Sequence, residues 1–204
     1  MHDATVFLVD DDPSVRDSLS LLLSLKGLRT RVYSSAESLL ATFEPQWRGC
    51  ILTDLKMPGL TGIELQQALA QRGSSLPVVV LTAHGDVATT RQALKAGAFD
   101  FLEKPVDDEV LLDVLQNAIR RDQERHAEQA ERTRVEDRVS RLTPREREVL
   151  LLIADGLQNR EIGERLGISP RTVEVYKARM MEKLQCRSLA DAVRISLEWV
   201  RSQH

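Results

Sequence analysis

Four apolar runs in the first 105 residues each end in a polar or charged side chain, and no other feature constrains the fold as tightly. Val6-Phe7-Leu8-Val9 runs into Asp10-Asp11-Asp12, and Cys50-Ile51-Leu52-Thr53 into Asp54. Val78-Val79-Val80-Leu81 ends in Thr82, and Phe99 to Leu102 ends in Glu103-Lys104-Pro105. Apolar runs without alternation suit strands buried on both faces, as in a parallel sheet. Arg29-Thr30-Arg31-Val32-Tyr33 reads as a further strand. Helical patterns separate the runs. Pro13 to Lys26 carries Val15, Leu19, Leu22 and Leu23 on one face before Gly27, and further helices are expected over 35–43, 61–72, 86–96 and from Asp107. Five strands alternating with five helices form an α/β unit. The carboxyl ends of its strands share one edge, where open α/β sheets hold their sites.

Residues 120–138 have a different texture. Twelve of these 19 residues are charged, six of each sign, with no Gly or Pro. Good helix formers with mixed charges predict a solvated helical extension of the preceding helix. The apolar residues there (Ala127, Ala130, Val135) are too sparse for a sustained coiled-coil seam. Residues 142–200 then read as four short helices. Thr143-Pro144-Arg145-Glu146 is a capping box with Pro at the first helical position. Asn159 opens the second helix and Gly167 ends it; Ser169 and Pro170 start the third, which runs to about Leu184, and Leu189 to Val200 forms the fourth. The domains expected are therefore 1–119, a charged connector at 120–138, and 139–204.

Charge divides along the same line. Residues 139–204 carry 12 Lys+Arg against 9 Asp+Glu, whereas 1–138 carry 16 against 22. An acidic front and a basic tail imply different partners. Hydrophobic content of 42% is ordinary for a globular chain, and no apolar stretch approaches the roughly 20 residues of a membrane helix. The N-terminus has no basic-then-apolar pattern, so no signal peptide is expected. Cys50 and Cys186, far apart and near no His/Cys cluster, predict reduced thiols and a cytoplasmic protein.

Asp10, Asp11 and Asp54 at one sheet edge would repel, by about 4 kcal/mol for two carboxylates ~4 Å apart at an effective dielectric near 20. A divalent cation that prefers oxygen ligands, Mg2+, suits such a set, with the Lys104 ammonium and the Thr82 hydroxyl alongside. A flavin or nucleotide site is disfavoured, because Asp10-Asp11-Asp12 lacks the glycine-rich backbone of a phosphate cradle. Phosphoryl transfer onto a carboxylate fits these residues. Asp12 before Pro13 reads as a helix N-cap, and His84 as a solvated loop residue.

Val9-Asp10-Asp11-Asp12, Thr53-Asp54-x-x-Met57-Pro58-Gly59-x-x-Gly62, Leu81-Thr82-Ala83 and Glu103-Lys104-Pro105 resemble the receiver domain of two-component response regulators, over about residues 5–119. The resemblance implies a flavodoxin-like five-stranded parallel sheet with Asp54 as phosphoacceptor. Asp10 and Asp11 are then metal acids, completed by the Lys56 carbonyl, and Thr82 and Lys104 receive the phosphoryl group. Phe101 becomes the switch aromatic and Lys104-Pro105 a cis peptide.

In the tail, Val173, Tyr176, Met180 and Leu184 fall on one face of the third helix at ~100° per residue, with Arg171, Val175, Ala178 and Glu182 opposite and Glu174 and Arg179 flanking. The preceding helix and Gly167-Ile168-Ser169 have helix-turn-helix spacing. Leu142 to Leu150, Gly156-Leu157-x-Asn159-x-Glu161-Ile162 and Ser169-Pro170-Arg171-Thr172-Val173-Glu174-Val175 resemble the LuxR/NarL-type DNA-binding domain, a small all-α unit. By that resemblance Glu174, Val175 and Ala178 are candidates for base edges. Arg160, Arg171, Thr172, Lys177 and Arg179 are candidates for phosphates. Together with Gly85-Asp86-Val87 and Ala96-Gly97-Ala98-x-Asp100-Phe101, the whole chain is most similar to the FixJ branch of response regulators.

The reading implied is a phosphorylation-dependent transcription regulator and not an enzyme beyond its own phosphoryl turnover. A sensor histidine kinase, an operator duplex and RNA polymerase are its expected partners, with dimerisation on phosphorylation and Arg91 and Lys95 as candidate dimer contacts. Two rivals fit fewer residues. A metal-dependent phosphohydrolase using Asp54 gives the tail no role, and a constitutive DNA-binding protein gives the complete acidic pocket none.

Overall fold

The computed structural model describes residues 4–83 and 97–202. They fall into two compact units, Met1–His126 and Ala127–His204. The first unit holds β1 (Thr5–Val9), α1 (Pro13–Leu25), β2 (Arg29–Tyr33), α2 (Ala36–Thr42), β3 (Gly49–Asp54), α3 (Gly62–Gln71), β4 (Val78–Thr82) and β5 (Asp100–Glu103). The expected helix 86–96 lies outside the described residues, as do His84, Arg91, Lys95 and Gly85-Asp86-Val87. A 33-residue helix, α4 (Asp108–Ser140), carries the boundary between the units. The second unit adds α5 (Pro144–Ala154), α6 (Asn159–Leu166), α7 (Pro170–Leu184) and α8 (Leu189–Ser202).

All strand pairs are parallel, in the order β2-β1-β3-β4-β5. The order reverses direction between β1 and β3, so the crevice beyond their carboxyl ends is the topological switch point of the sheet. Successive strand residues face opposite sides, and the chain uses both. Phe7, Val9, Ile51, Val78 and Val80 pack with Leu39 of α2 and Leu65 and Leu69 of α3. Val6, Leu8, Cys50, Leu52, Val79 and Leu81 pack with Leu23 of α1 and Leu111, Leu115 and Ala118 of α4. Central strands apolar on both faces follow from this burial.

Asp12 caps α1, accepting the Ser14 N–H at 2.8 Å, and the Lys104–Pro105 bond is cis. α4 runs unbroken through 120–138, but this stretch is not uniformly solvated. Asp122 and Val135 are buried. Asp122 continues the inward stripe Leu111–Leu115–Ala118 at helical spacing, and its Oδ2 accepts the Gly49 N–H at 2.9 Å. Burial raises the pKa of the neighbouring Cys50 thiol, and the Asp122 charge adds to the effect.

In the second unit Val135 and Val139 join Val149, Leu150, Ile153, Ile162, Val173, Met180, Leu184 and Ile195 in one core. Thr143 and Glu146 form the expected capping box. Glu146 is buried and also holds the Lys183 ammonium of α7 at 2.7 Å. Burial works against that carboxylate, but Lys183 and the Thr143 N–H and hydroxyl together hold its pKa below the ordinary range. A depressed carboxylate pKa stabilises the fold above the unfolded value, ~4.3 for Glu, and that stabilisation is lost as pH falls through the folded value. A Glu146→Gln variant should therefore melt below wild type above about pH 5. The gap should close on acidification below ~4, and thermal melts across that range check it. Among the described residues no helix is long and apolar enough to cross a membrane.

Candidate functional site

Asp10 follows β1 and Asp54 ends β3, so the switch point brings both carboxylates to one place. They share one cation. Lys104 Nζ stands 2.6 Å from Asp54 Oδ1 and 2.9 Å from Asp10 Oδ2. Asp10 is 2% exposed and Asp54 9%, so their mutual repulsion is poorly screened and the ammonium between them relieves it. Burial disfavours the Lys104 ammonium, yet its hydrogen bonds to Asp54 and Asp10 and their charges outweigh that and raise its pKa. Asp54 Oδ2 also accepts the Lys56 N–H at 2.8 Å, and Asp10 Oδ1 accepts the Asp12 N–H at 2.9 Å. Both side chains are thereby fixed in orientation.

Of the remaining residues singled out in the sequence, Thr82 is buried at the end of β4, and the Lys104 N–H donates to its carbonyl at 2.7 Å. Phe101 is half-buried on β5, at the margin of the apolar layer that holds Phe7 and Val80. Asp11 and Lys56 are exposed. Asp11 does not join Asp10 and Asp54 in a three-carboxylate cluster. Among the described residues no group of three or more His, Cys, Asp or Glu side chains is placed to hold a metal ion. The donors at this edge are nonetheless all oxygen, with two carboxylates already close enough to share a positive charge. That is the chemistry a Mg2+ site requires.

Two holding contacts were not visible in the sequence motifs. Arg16 of α1 donates to the Asp10 carbonyl at 2.7 Å, and Glu37 of α2 accepts the Leu60 N–H at 2.9 Å. Arg16 lies one helical turn beyond Asp12, and Glu37 stands in the first turn of a helix. Neither position by itself marks its partner.

In the second unit α6 and α7 are joined by a tight turn. Gly167 ends α6 with φ +67°, and Ser169 caps α7 by accepting the Thr172 N–H at 3.1 Å. Gly163 lies where the turn folds back onto α6; a Cβ there would stand 2.7 Å from the Ile168 carbonyl oxygen, so only glycine fits without displacement. On α7 Val173, Met180 and Leu184 are fully buried, with Tyr176 half-buried against the same core. Arg171, Glu174, Val175, Ala178 and Arg179 are exposed. Val175 is 46% exposed, an apolar side chain offered to solvent within a charged surface. The Thr172 hydroxyl is 2.8 Å from that of Ser169, inside the cap. Lys177 is half-buried, and its ammonium donates to Asn159 Oδ1 at 3.0 Å, tying α7 to α6. Arg160, 85% exposed, pairs with Glu164 at 3.1 Å, a surface contact of little energetic weight.

Residues 6–116 match the response regulator receiver domain, and residues 140–196 match the bacterial regulatory proteins of the luxR family. The transcriptional regulatory protein FixJ of Azorhizobium caulinodans is 44% identical over 94% of this chain and 91% of its own. The chain is a FixJ-like response regulator. As such it is a phosphorylation-dependent transcription regulator, with a receiver and a LuxR-type DNA-binding domain. The regulator is similar too to the C4-dicarboxylate transport transcriptional regulatory protein DctR of Rhodobacter capsulatus, at 43% identity over 94% of this chain and 98% of that one. Among solved structures, the response regulator StyR superposes on it with a TM-score of 0.86 at 40% identity, covering 95% of this chain and 98% of StyR.

Proposed function

We propose that Asp54 accepts a phosphoryl group from the phosphohistidine of a sensor kinase, and that this modification controls DNA binding by the C-terminal helix-turn-helix. The observation that carries this reading is the Lys104 ammonium held between Asp54 and Asp10 at the switch point. Asp10, Asp54 and the Lys56 carbonyl would hold Mg2+, joined by Asp11 once its exposed side chain turns inward, and the ion when bound would neutralise phosphoryl oxygens and make their approach to the carboxylates favourable.

The chain's own groups account for the rest. An Asp54 carboxylate oxygen forms the new P–O bond as the P–N bond breaks, and the imidazole leaves with that electron pair. Lys104 already contacts Asp54, so its ammonium moves from carboxylate to phosphoryl oxygen over a short path. The Thr82 hydroxyl donates to a second phosphoryl oxygen, and Phe101 follows into the space that Thr82 vacates. The change at β4 and β5 favours a dimer. Two helix-turn-helix units then occupy half-sites about 10 bp apart and combine their affinities. In this scheme residues 1–119 are the receiver, 120–138 the connector and 139–204 the DNA-binding domain. RNA polymerase is the downstream partner. A regulator of transcription acts where the DNA is, in the cytoplasm, and the receiver turns over only its own phosphoryl group.

On DNA, α7 enters the major groove. Val175 and Ala178 meet thymine methyls, and Glu174 accepts from a cytosine amine. Arg171, Arg179 and Arg160 reach phosphates, with Thr172 and Lys177 in supporting contacts from the cap and the helix pair. Arg171→Ala or Arg179→Ala should each reduce the slope of log affinity against log salt by about 0.9 per lost contact. Sequence preference should not change, and fluorescence anisotropy on cognate and scrambled duplexes measures both. The experiment that tests the whole reading compares wild type with Asp54→Asn for sedimentation and DNA binding, with and without acetyl phosphate. Equal responses would refute it.

A further inference from the structure

The loop after Asp54 is held by a helix that the phosphoryl chemistry does not touch. At its start the Leu55 N–H donates to the Leu81 carbonyl at 2.7 Å and the Lys56 N–H to the Asp54 carboxylate at 2.8 Å. At its end Thr61 and Glu64 form a capping box that starts α3. Between these anchors the Leu60 N–H is accepted at 2.9 Å by Glu37 Oε1, 23 residues earlier in the first turn of α2. Gly59, with φ +80°, leaves open the space that a Cβ would fill, and the Glu37 carboxylate occupies it. A larger residue at 59 would expel the carboxylate, so the glycine and the glutamate form one device. The charge registers the contact. The Leu60 N–H, then Glu37's own N–H and the Ser35 hydroxyl, hold its pKa below the ordinary carboxylate range.

We propose that Glu37 is a positioning residue for phosphoryl acceptance, fixing Gly59 and Leu60 so that the loop presents the Lys56 carbonyl and the Asp54 carboxylate in a ready arrangement. The inference rests on the reading of Asp54 as phosphoacceptor. Its physical basis is preorganisation. A main-chain carbonyl has no side chain to adjust, so its direction is the conformation of the loop. A loop left loose must be ordered when the cation binds, and that ordering weakens binding. Arg16 holds the Asp10 backbone from α1 in the same manner.

The test uses the full-length protein with Glu37→Ala and Glu37→Gln, since the amide keeps an acceptor oxygen of the same reach. Four quantities are read: hydrogen exchange of the Leu60 amide, Mg2+ affinity by calorimetry, phosphoryl uptake from acetyl phosphate, and receiver melting through Trp47 emission. Loss of one such hydrogen bond predicts faster Leu60 exchange in Glu37→Ala, with Mg2+ affinity and uptake rate each lower by roughly fivefold. Glu37→Gln should stay within about twofold of wild type on all counts, because the bond survives. The proposal is overturned if Glu37→Ala exchanges Leu60 faster yet binds Mg2+ as wild type does. It is equally overturned if Leu60 exchange does not change, or if both variants lose affinity alike in step with their melting. A wild-type protein that takes up no phosphoryl group would refute the assignment of Asp54 instead, and the Mg2+ comparison would still decide the role of Glu37.

Discussion

Asp54→Asn is expected to abolish stable phosphoryl uptake from acetyl phosphate and, with it, any gain in DNA affinity, while the receiver remains folded. An amide oxygen is a poor nucleophile and cannot form the acyl phosphate, so the loss is chemical. The fold has reason to survive the change. Lys104 keeps its partner Asp10 at 2.9 Å, and one of two poorly screened carboxylates is removed from the pair. Melting of the receiver, followed through Trp47, should be equal to or above wild type, and intact mass should record no adduct. A receiver that still acquires the adduct would locate the acceptor elsewhere.

Gly163→Ala should damage the other unit just as selectively. The added Cβ would lie 2.7 Å from the Ile168 carbonyl oxygen and 3.5 Å from the Pro170 nitrogen, and both neighbours are backbone of a short turn. Backbone held by the Ser169 cap and by the Gly163 carbonyl, which accepts the Ile168 N–H at 3.0 Å, cannot move aside cheaply. Overpacking of this kind costs about 1–3 kcal/mol. For a domain of this size each 1 kcal/mol lowers the melting temperature by roughly 4–8 °C. Trp199, packed on the C-terminal core, reports that transition. Since the same turn sets α7 against α6, DNA affinity should fall in the protein that stays folded, and phosphoryl uptake at Asp54 should not change. An unshifted Trp199 melt would mean that the turn yields more easily than its contacts imply.

The residues legible in advance were those whose signal is local. Strand runs ending in Asp10, Asp54, Thr82 and Lys104 set the sheet and its edge. The caps at Asp12, Thr143 and Ser169 set helix starts, and the 3.6-residue period placed Val173, Met180 and Leu184 inward. What escaped was partnership across the fold. Nothing near Glu37 names Leu60, and Glu146 reads as a cap until Lys183 arrives from 37 residues away. Composition also misled at one point. The charged stretch 120–138 looked uniformly solvated, because charge density does not say which residue turns inward. The spacing of Asp122 after Leu111, Leu115 and Ala118 carried that information. Similarly, Asp10 and Asp11 are equivalent as letters, but in the turn that follows β1 the first is buried and the second exposed.

Control of DNA binding by modification of Asp54 is the central claim, and one titration tests it most directly. Duplexes selected from a random pool by acetyl-phosphate-treated wild-type protein would be bound by wild type and by Asp54→Asn across increasing acetyl phosphate, with Mg2+ present. Intact mass would be read at every step. DNA affinity should rise in wild type as the phosphorylated fraction rises and stay flat in the variant. Affinity that is already maximal before any adduct forms, or that rises equally in Asp54→Asn, would contradict it.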